Sequence, residues 1–150
     1  MTLRRSQKLT AEAAAEEGGL TGLESDRIRA HAFGQNALFE AWIAEERAAK
    51  APCGHAIITK SYDIRRAAPT VVLCELYVRP EHRRGGVARL LMSGVARRAM
   101  DLGARELMIT TGVDNAVAQR FFAAVGARSQ KAEVFMMSAD GIQWLATEAL

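Results

Sequence analysis

Val78-Arg79-Pro80-Glu81-His82-Arg83-Arg84-Gly85-Gly86-Val87-Ala88 is the stretch whose reading decides the fold. It carries the end of one strand through an arginine- and glycine-rich turn into a helix. Before it, residues 70–78 (TVVLCELYV) are rich in β-branched and aromatic side chains and stop at Arg79-Pro80, where proline removes a ladder donor. After it the apolar period lengthens. Val87, Leu91 and Val95, with Ala88, Ala99 and Leu102, form one helical face, while Arg89, Arg97 and Arg98 fall elsewhere and Gly103 ends the helix. The turn itself is an anion cradle. Gly85 and Gly86 let backbone approach a ligand, the first-turn amides of the helix lack internal partners, and the helix dipole favours negative charge there. Arg83 and Arg84 add guanidinium groups suited to phosphate. The turn has neither the lysine-serine pair of a P-loop nor the spacing of a dinucleotide fingerprint.

Upstream, residues 38–44 (LFEAWIA) and 54–62 (GHAIITKSY) are apolar and bounded by turn residues, which predicts two antiparallel strands joined through EERAAKAPC. Further upstream, the composition of residues 8–17 predicts a helix stopped by Gly18-Gly19, and Ser25-Asp26 caps a short second helix through Phe33, ended by Gly34. Downstream, 107–111 (LMITT) predicts a strand. Asp114 or Asn115 caps the next helix, whose core pairs are Ala118/Phe122 and Phe121/Val125 and which Gly126 closes. A strand at 134–138 follows. Asp140-Gly141 suits either a hairpin turn or the start of a terminal helix capped by Asp140 and carrying Ile142, Leu145 and Leu150. The order β, α, β, α after an antiparallel pair predicts an α/β fold, a mixed sheet flanked by helices.

The composition agrees with that reading. A chain of 150 residues, 49% hydrophobic and 25% charged, predicts one compact domain over 1–150, with no repeat or linker to divide it. No apolar run approaches the ~20 residues of a transmembrane helix, and MTLRRSQKLTAEAAAEE has no apolar segment behind its positive charge, so a cytoplasmic protein without membrane contact is expected. Cys53 and Cys74 are expected to be free thiols. His31, His55 and His82 are dispersed without metal-ligand spacing, so no metal is expected. A net charge of +3 is too mild to name a nucleic-acid partner.

Two segments together resemble the GNAT family of N-acetyltransferases. Arg83-Arg84-Gly85-Gly86-Val87-Ala88 is similar to that family's Q/R-x-x-G-x-G/A coenzyme-A signature, with CELYVRPEHR as the strand and turn leading into it. The run Asn115-Ala116-Val117-Ala118-Gln119-Arg120-Phe121-Phe122-Ala123-Ala124-Val125-Gly126-Ala127 resembles the second motif, N-x-x-A-x-x-F-Y-x-x-x-G-F/A. LFEAWIAEE, GHAIITKSYD and the final VFMMSADGIQWLATEAL look like the diamine (spermidine/spermine-type) branch, and the likeness covers most of the chain after about Asp26.

The resemblance implies a single-domain fold whose two central strands splay apart, so that the pantetheine arm of acetyl-CoA lies between them as an added strand. It implies that main-chain groups of Leu76, Tyr77 and Val78 pair with the arm and that Arg83 and the amides of Arg84, Gly85, Gly86, Val87, Ala88 and Arg89 hold the pyrophosphate. Asn115 would bond the arm from the other side, and Phe122 would sit beside the thioester. The Val78 N–H would stabilise the oxyanion formed when a primary amine of a small molecule (a diamine, an amino acid or a related amine) attacks acetyl-CoA directly. Glu75 is the general base on this reading, or else half of an ion pair.

Two departures accompany the resemblance. Phe122 stands where the family carries a tyrosine that protonates the leaving thiolate, which makes Tyr77 and Cys74 the replacement proton donors to consider. Cys74-Glu75 stands where the diamine branch shows Glu-Asp, so one of two acids of a polyamine site is missing. The competing reading is an acyl-CoA-binding protein with little catalysis, and a nucleic-acid binder is a weaker third. The branch also contains many homodimers, which leaves a second copy of the chain as an optional partner.

Overall fold

The computed structural model describes residues 37–130 and 132–148. The helices expected at 8–17 and 26–33 lie outside the described residues. The chain divides into two compact units, Met1–Gly112 and Val113–Leu150.

The first unit is a four-stranded mixed sheet in the order β1-β2-β3-β4, with one long helix. β1 is Phe39–Glu45, β2 Pro52–Asp63, β3 Ala68–Val78 and β4 Glu106–Ile109, and helix α1 spans Val87–Asp101 between β3 and β4. β1, β2 and β3 pair antiparallel, as strands joined by short connections can, whereas β4 returns parallel to β3 after the α1 crossover. All four strands fall where the strand composition predicts them and the helix where its period does, although β4 is shorter than 107–111 suggested.

Opposed residues in a ladder share a face, so the register sorts the side chains. Trp42 faces Ala56 and Ala56 faces Leu76; Glu40 faces Ile58 and Ile58 faces Leu73. These residues look toward α1. A Cβ on Gly94 would stand 3.3 Å from the Trp42 ring, and one on Gly54 would meet Leu91 Cδ1 at 3.3 Å, so glycines bring helix and sheet close at both points. Ile58, Val71, Leu73 and Val95 are fully buried, each contributing ~1.5–3 kcal/mol relative to exposure. At the rim, Arg98 donates to both carboxylate oxygens of Glu40, from Nη2 at 2.7 Å and Nε at 2.8 Å, and Lys60 lies 3.0 Å away. The Arg98 hydrogen bond, with Lys60 assisting, holds the Glu40 carboxyl at about 2 instead of 4.5.

The second ladder carries a bulge. Ile57 faces Glu75 while the next residue, Ile58, faces Leu73, which leaves Cys74 as the extra residue of β3. Val71 and Leu73 look toward α1, and an uninterrupted strand would send Glu75 the same way. The inserted Cys74 reverses the alternation and places Glu75 with His55 and Ile57 on the opposite face.

The second unit holds α2, Ala116–Ala124, and α3, Ala139–Glu148. Asn115 Oδ1 accepts from the Ala118 N–H at 3.0 Å and caps α2, so of the two expected caps Asn115 is the one used. Gly126 closes this helix with φ 95°, the left-handed backbone a helix C-terminus favours. Two expectations are corrected here. Residues 134–138 form no strand: they have strand composition, but no ladder partner runs beside them among the described residues, and a strand exists only as part of a ladder. The terminal segment is a helix and not a hairpin, and its cap is Ser138, whose Oγ accepts from the Gly141 N–H at 3.1 Å, in place of Asp140. No helix among the described residues is long and apolar enough to cross a membrane.

Candidate active site

β3 extends past its parallel partner. The β3–β4 ladder runs from Thr70/Glu106 to Leu73/Ile109 and stops, while β3 continues to Val78. Residues 74–78 therefore have β2 on one side and no strand on the other among the described residues. The Arg79 N–H donates to the Cys53 carbonyl at 3.0 Å, which puts Arg79 and Cys53 at a hydrogen-bonding position of the ladder. Antiparallel ladders alternate such pairs with pairs whose main-chain groups point away. Val78 and Leu76 consequently turn N–H and C=O away from β2 to the open side, and Tyr77 turns its own toward β2.

The turn after β3 starts with a 3-10 turn over Pro80–His82, which the sequence did not suggest. Arg84 (φ 64°) and Gly86 (φ 84°) then take left-handed backbone, and Gly86 is the residue before α1. A Cβ on Gly86 would meet nothing within 4 Å among the described residues, which leave the space over the helix start open. The amides of Val87, Ala88 and Arg89 belong to the first turn and have no intrahelical carbonyl to bond. Gly85, Arg84 and Arg89 are exposed beside them.

The cradle arginines differ in use. Arg83 Nε donates to the Val78 carbonyl at 2.8 Å, and its guanidinium lies over the Tyr77 ring, 5.8 Å from the centroid. Arg79 Nη1 donates to the Pro52 carbonyl at 2.8 Å, tying the strand end to β2.

On the face opposite α1, His55 Nε2 lies 2.6 Å from Glu75 Oε1. The histidine is fully buried, whereas the Glu75 side chain keeps 28% of its surface exposed. The Tyr77 ring packs against His55 at 5.9 Å between centroids, tilted by 41°, and is itself buried. Cys74 is exposed on the bulge, its Sγ 3.6 Å from Thr59 Oγ1. Glu75, Tyr77, Cys74, Leu76 and Val78 are thus brought together on one strand end, and Arg83, Arg84, Gly85, Gly86, Val87, Ala88 and Arg89 follow on the turn and helix start. Asn115 and Phe122 belong to the second unit, where Phe122 is half-buried with its ring edge-on to Phe121 at 5.5 Å.

His55 is the residue that sequence reasoning passed over. Its signal was a histidine inside the apolar strand run Gly54-His55-Ala56-Ile57-Ile58, two positions before the residue that the bulge sets opposite Glu75. Cys53 and Cys74 are both free thiols, and burial, with Glu46 adding to it, pushes the Cys53 thiol up. Among the described residues no three His, Cys, Asp or Glu side chains are grouped to hold a metal ion.

Solved structures share this fold. AAC(6')-Iy in complex with the bisubstrate analog CoA-S-monomethyl-acetylneamine is 23% identical, with a TM-score of 0.74 over 91% of this chain and 90% of that one. An aminoglycoside acetyltransferase from an uncultured soil metagenomic sample, in complex with sisomicin, is 14% identical, with a TM-score of 0.75 over 92% and 88%. The ribosomal-protein-alanine N-acetyltransferase of Brucella melitensis is 16% identical, with a TM-score of 0.71 over 91% and 93%. No curated protein matches the sequence. The sequence model of the acetyltransferase (GNAT) family matches residues 8–127, four-fifths of the chain, and with the mixed sheet, the open end of β3 and the glycine turn into α1 in place, the chain belongs to that family.

Proposed function

We propose that the chain, acting as one catalytic domain over 1–150, is an acetyl-CoA-dependent N-acetyltransferase that acylates a primary amine of a small molecule by direct attack. The observation that carries this is the open edge of β3, where Leu76 and Val78 turn main-chain groups outward just before the Gly85-Gly86 turn. That edge suits the amide-bearing pantetheine arm, and the open space over Gly86 suits a pyrophosphate. The alternation favours Leu76 and Val78 for the arm, since Tyr77 spends its main chain on β2.

The thioester supplies an activated acetyl group. The Val78 N–H faces the open side and would donate to the developing oxyanion, a donor whose loss typically costs ~3–4 kcal/mol. Arg83, Arg84 and the amides through Arg89 would neutralise phosphate. Glu75, partly exposed on the same strand, would take the proton of the attacking ammonium directly or through water, an effect worth ~10²–10⁴ in rate. Asn115 uses its side-chain oxygen to cap α2.

The acceptor class is the open choice among diamines, amino acids and aminoglycoside-like amines. The comparisons include aminoglycoside and ribosomal-protein acetyltransferases, and the single acid at Cys74-Glu75 argues for an acceptor with fewer cationic groups than a polyamine. An acetyl-CoA consumption assay over diamines, amino acids, aminoglycosides and peptides tests the proposal. Thiol release that depends on one amine class supports it. CoA binding by a folded protein that acetylates none of them overturns it in favour of a binding protein, the reading that the missing hydroxyl at Phe122 would then explain.

A further inference from the structure

We propose that His55 is a positioning residue for Glu75: its Nε2–H holds the Glu75 carboxylate in one rotamer, with the other carboxylate oxygen left to take the proton of the amine. This rests on the acetyl-transfer reading with Glu75 as base, and deepens it.

Burial assigns the two roles. His55 is fully buried and cannot touch an acceptor, whereas Glu75 reaches the surface. A contact of 2.6 Å is the length of a charge-assisted hydrogen bond. A donor on one carboxylate oxygen fixes the side chain and leaves the second oxygen to accept. The geometry depends on the bulge. In register His55 faces Tyr77 and Ile57 faces Glu75, so His55 and Glu75 are diagonal neighbours on one face, within reach of long side chains. Without the extra Cys74 the carboxylate would project toward α1 and the pair could not form. Bulges commonly re-aim a side chain next to an active site.

Among the described residues, few titratable or charged groups surround the pair. Tyr77 packs against His55, Arg83 lies over Tyr77, and Cys74 precedes Glu75 on the bulge. β1 sets the apolar Ile43 opposite His55, and α1 with its arginines packs on the other face. In the proton transfer the amine proton goes to the second oxygen of Glu75, and His55 keeps its own proton on Nε2 throughout.

Three measurements on the full chain test this. His55→Phe, which fills the space but cannot donate, should lower kcat about 10- to 100-fold with KM for acetyl-CoA unchanged, and the acidic limb of the kcat profile should move. His55→Gln, whose amide can donate, should recover part of both. Nitrogen-15 NMR of the wild-type protein should show the Nε2-protonated tautomer of His55 at neutral pH, and Glu75→Gln should shift that signal. A folded His55→Phe with an unmoved acidic limb overturns the proposal, as does an Nδ1-protonated tautomer in the wild type. Should His55→Phe not fold, the wild-type tautomer decides. Failure of the underlying reading looks different: Glu75→Gln would then keep the acidic limb although the wild-type protein shows the NMR signature of the pair.

Discussion

Arg83 Nε donates to the carbonyl oxygen of Val78 at 2.8 Å, so the first arginine of the cradle is bonded back onto the strand whose open edge it follows. A hydrogen bond from a charged donor contributes about 1.5–3 kcal/mol when shielded and less here, where the side chain reaches solvent. Arg83→Met should therefore lower the melting temperature and weaken CoA through a displaced Val78. Arg84→Gln should weaken CoA with no loss of stability and with a shallower dependence on salt, because Arg84 is exposed and its contribution is screened charge. Thermal melts and CoA titrations at two salt concentrations separate the two. Equal melting temperatures for both variants would remove the structural role assigned to Arg83.

Gly86 combines a left-handed φ of 84° with open space where a Cβ would stand. Gly86→Asp should fold, with a backbone cost of ~1–2 kcal/mol. Its carboxylate would occupy the place proposed for the pyrophosphate and repel it, so CoA binding by calorimetry should fall at least about 100-fold, or ~2.7 kcal/mol. Near wild-type affinity in the folded variant would take the cradle out of the mechanism.

The Glu40–Arg98 pair gives a pH signature. The folded carboxyl titrates at about 2 and the free one at 4.5, so the pair's stabilisation is fully present above pH 4.5 and is lost as pH falls toward 2. Solvent reaches both side chains, which limits the effect to about 1–2 kcal/mol. Urea unfolding of the wild type should show this decline between pH 4.5 and 2, and Arg98→Met should start lower and decline less over the same window. Parallel curves would assign the attachment of α1 to β1 wholly to Trp42 and its neighbours.

The part of the fold legible in the sequence is the part encoded by local period. Residues 54–62 and 70–78 are apolar, β-branched and aromatic runs between turn residues, as buried strands must be, and Val87, Leu91 and Val95 repeat as a helix on that sheet must. The bulge at Cys74 was not legible, since it is a property of two strands in register and leaves no composition of its own. The His55–Glu75 contact inherits that difficulty: the partners are twenty residues apart, and an uninterrupted reading of β3 sends Glu75 to the wrong face. Residues 134–138 failed in the opposite way, with strand composition and no ladder. The phosphate cradle was legible because glycines and arginines before a helix state their chemistry locally.

The last prediction concerns the proton for the departing thiolate. The family motif has tyrosine where α2 carries Phe122, and Phe122 offers only a ring packed edge-on against Phe121. Of the two possible replacements, Tyr77 is buried, with its ring between His55 and the Arg83 guanidinium. Cys74 is exposed beside Glu75, where one thiol would be handing its proton to a leaving group that is itself a thiol. Such a thiol leaves largely unassisted near neutral pH. Cys74→Ala and Phe122→Tyr should each leave kcat within roughly threefold of wild type, far from the ~10²–10⁴ of an essential acid. Tyr77→Phe should do the same while the acidic limb stays in place, since it removes a hydroxyl and leaves the ring against His55. A hundredfold loss in Tyr77→Phe at unchanged melting temperature would make Tyr77 the general acid, and the same loss in Cys74→Ala would give that role to the bulge residue.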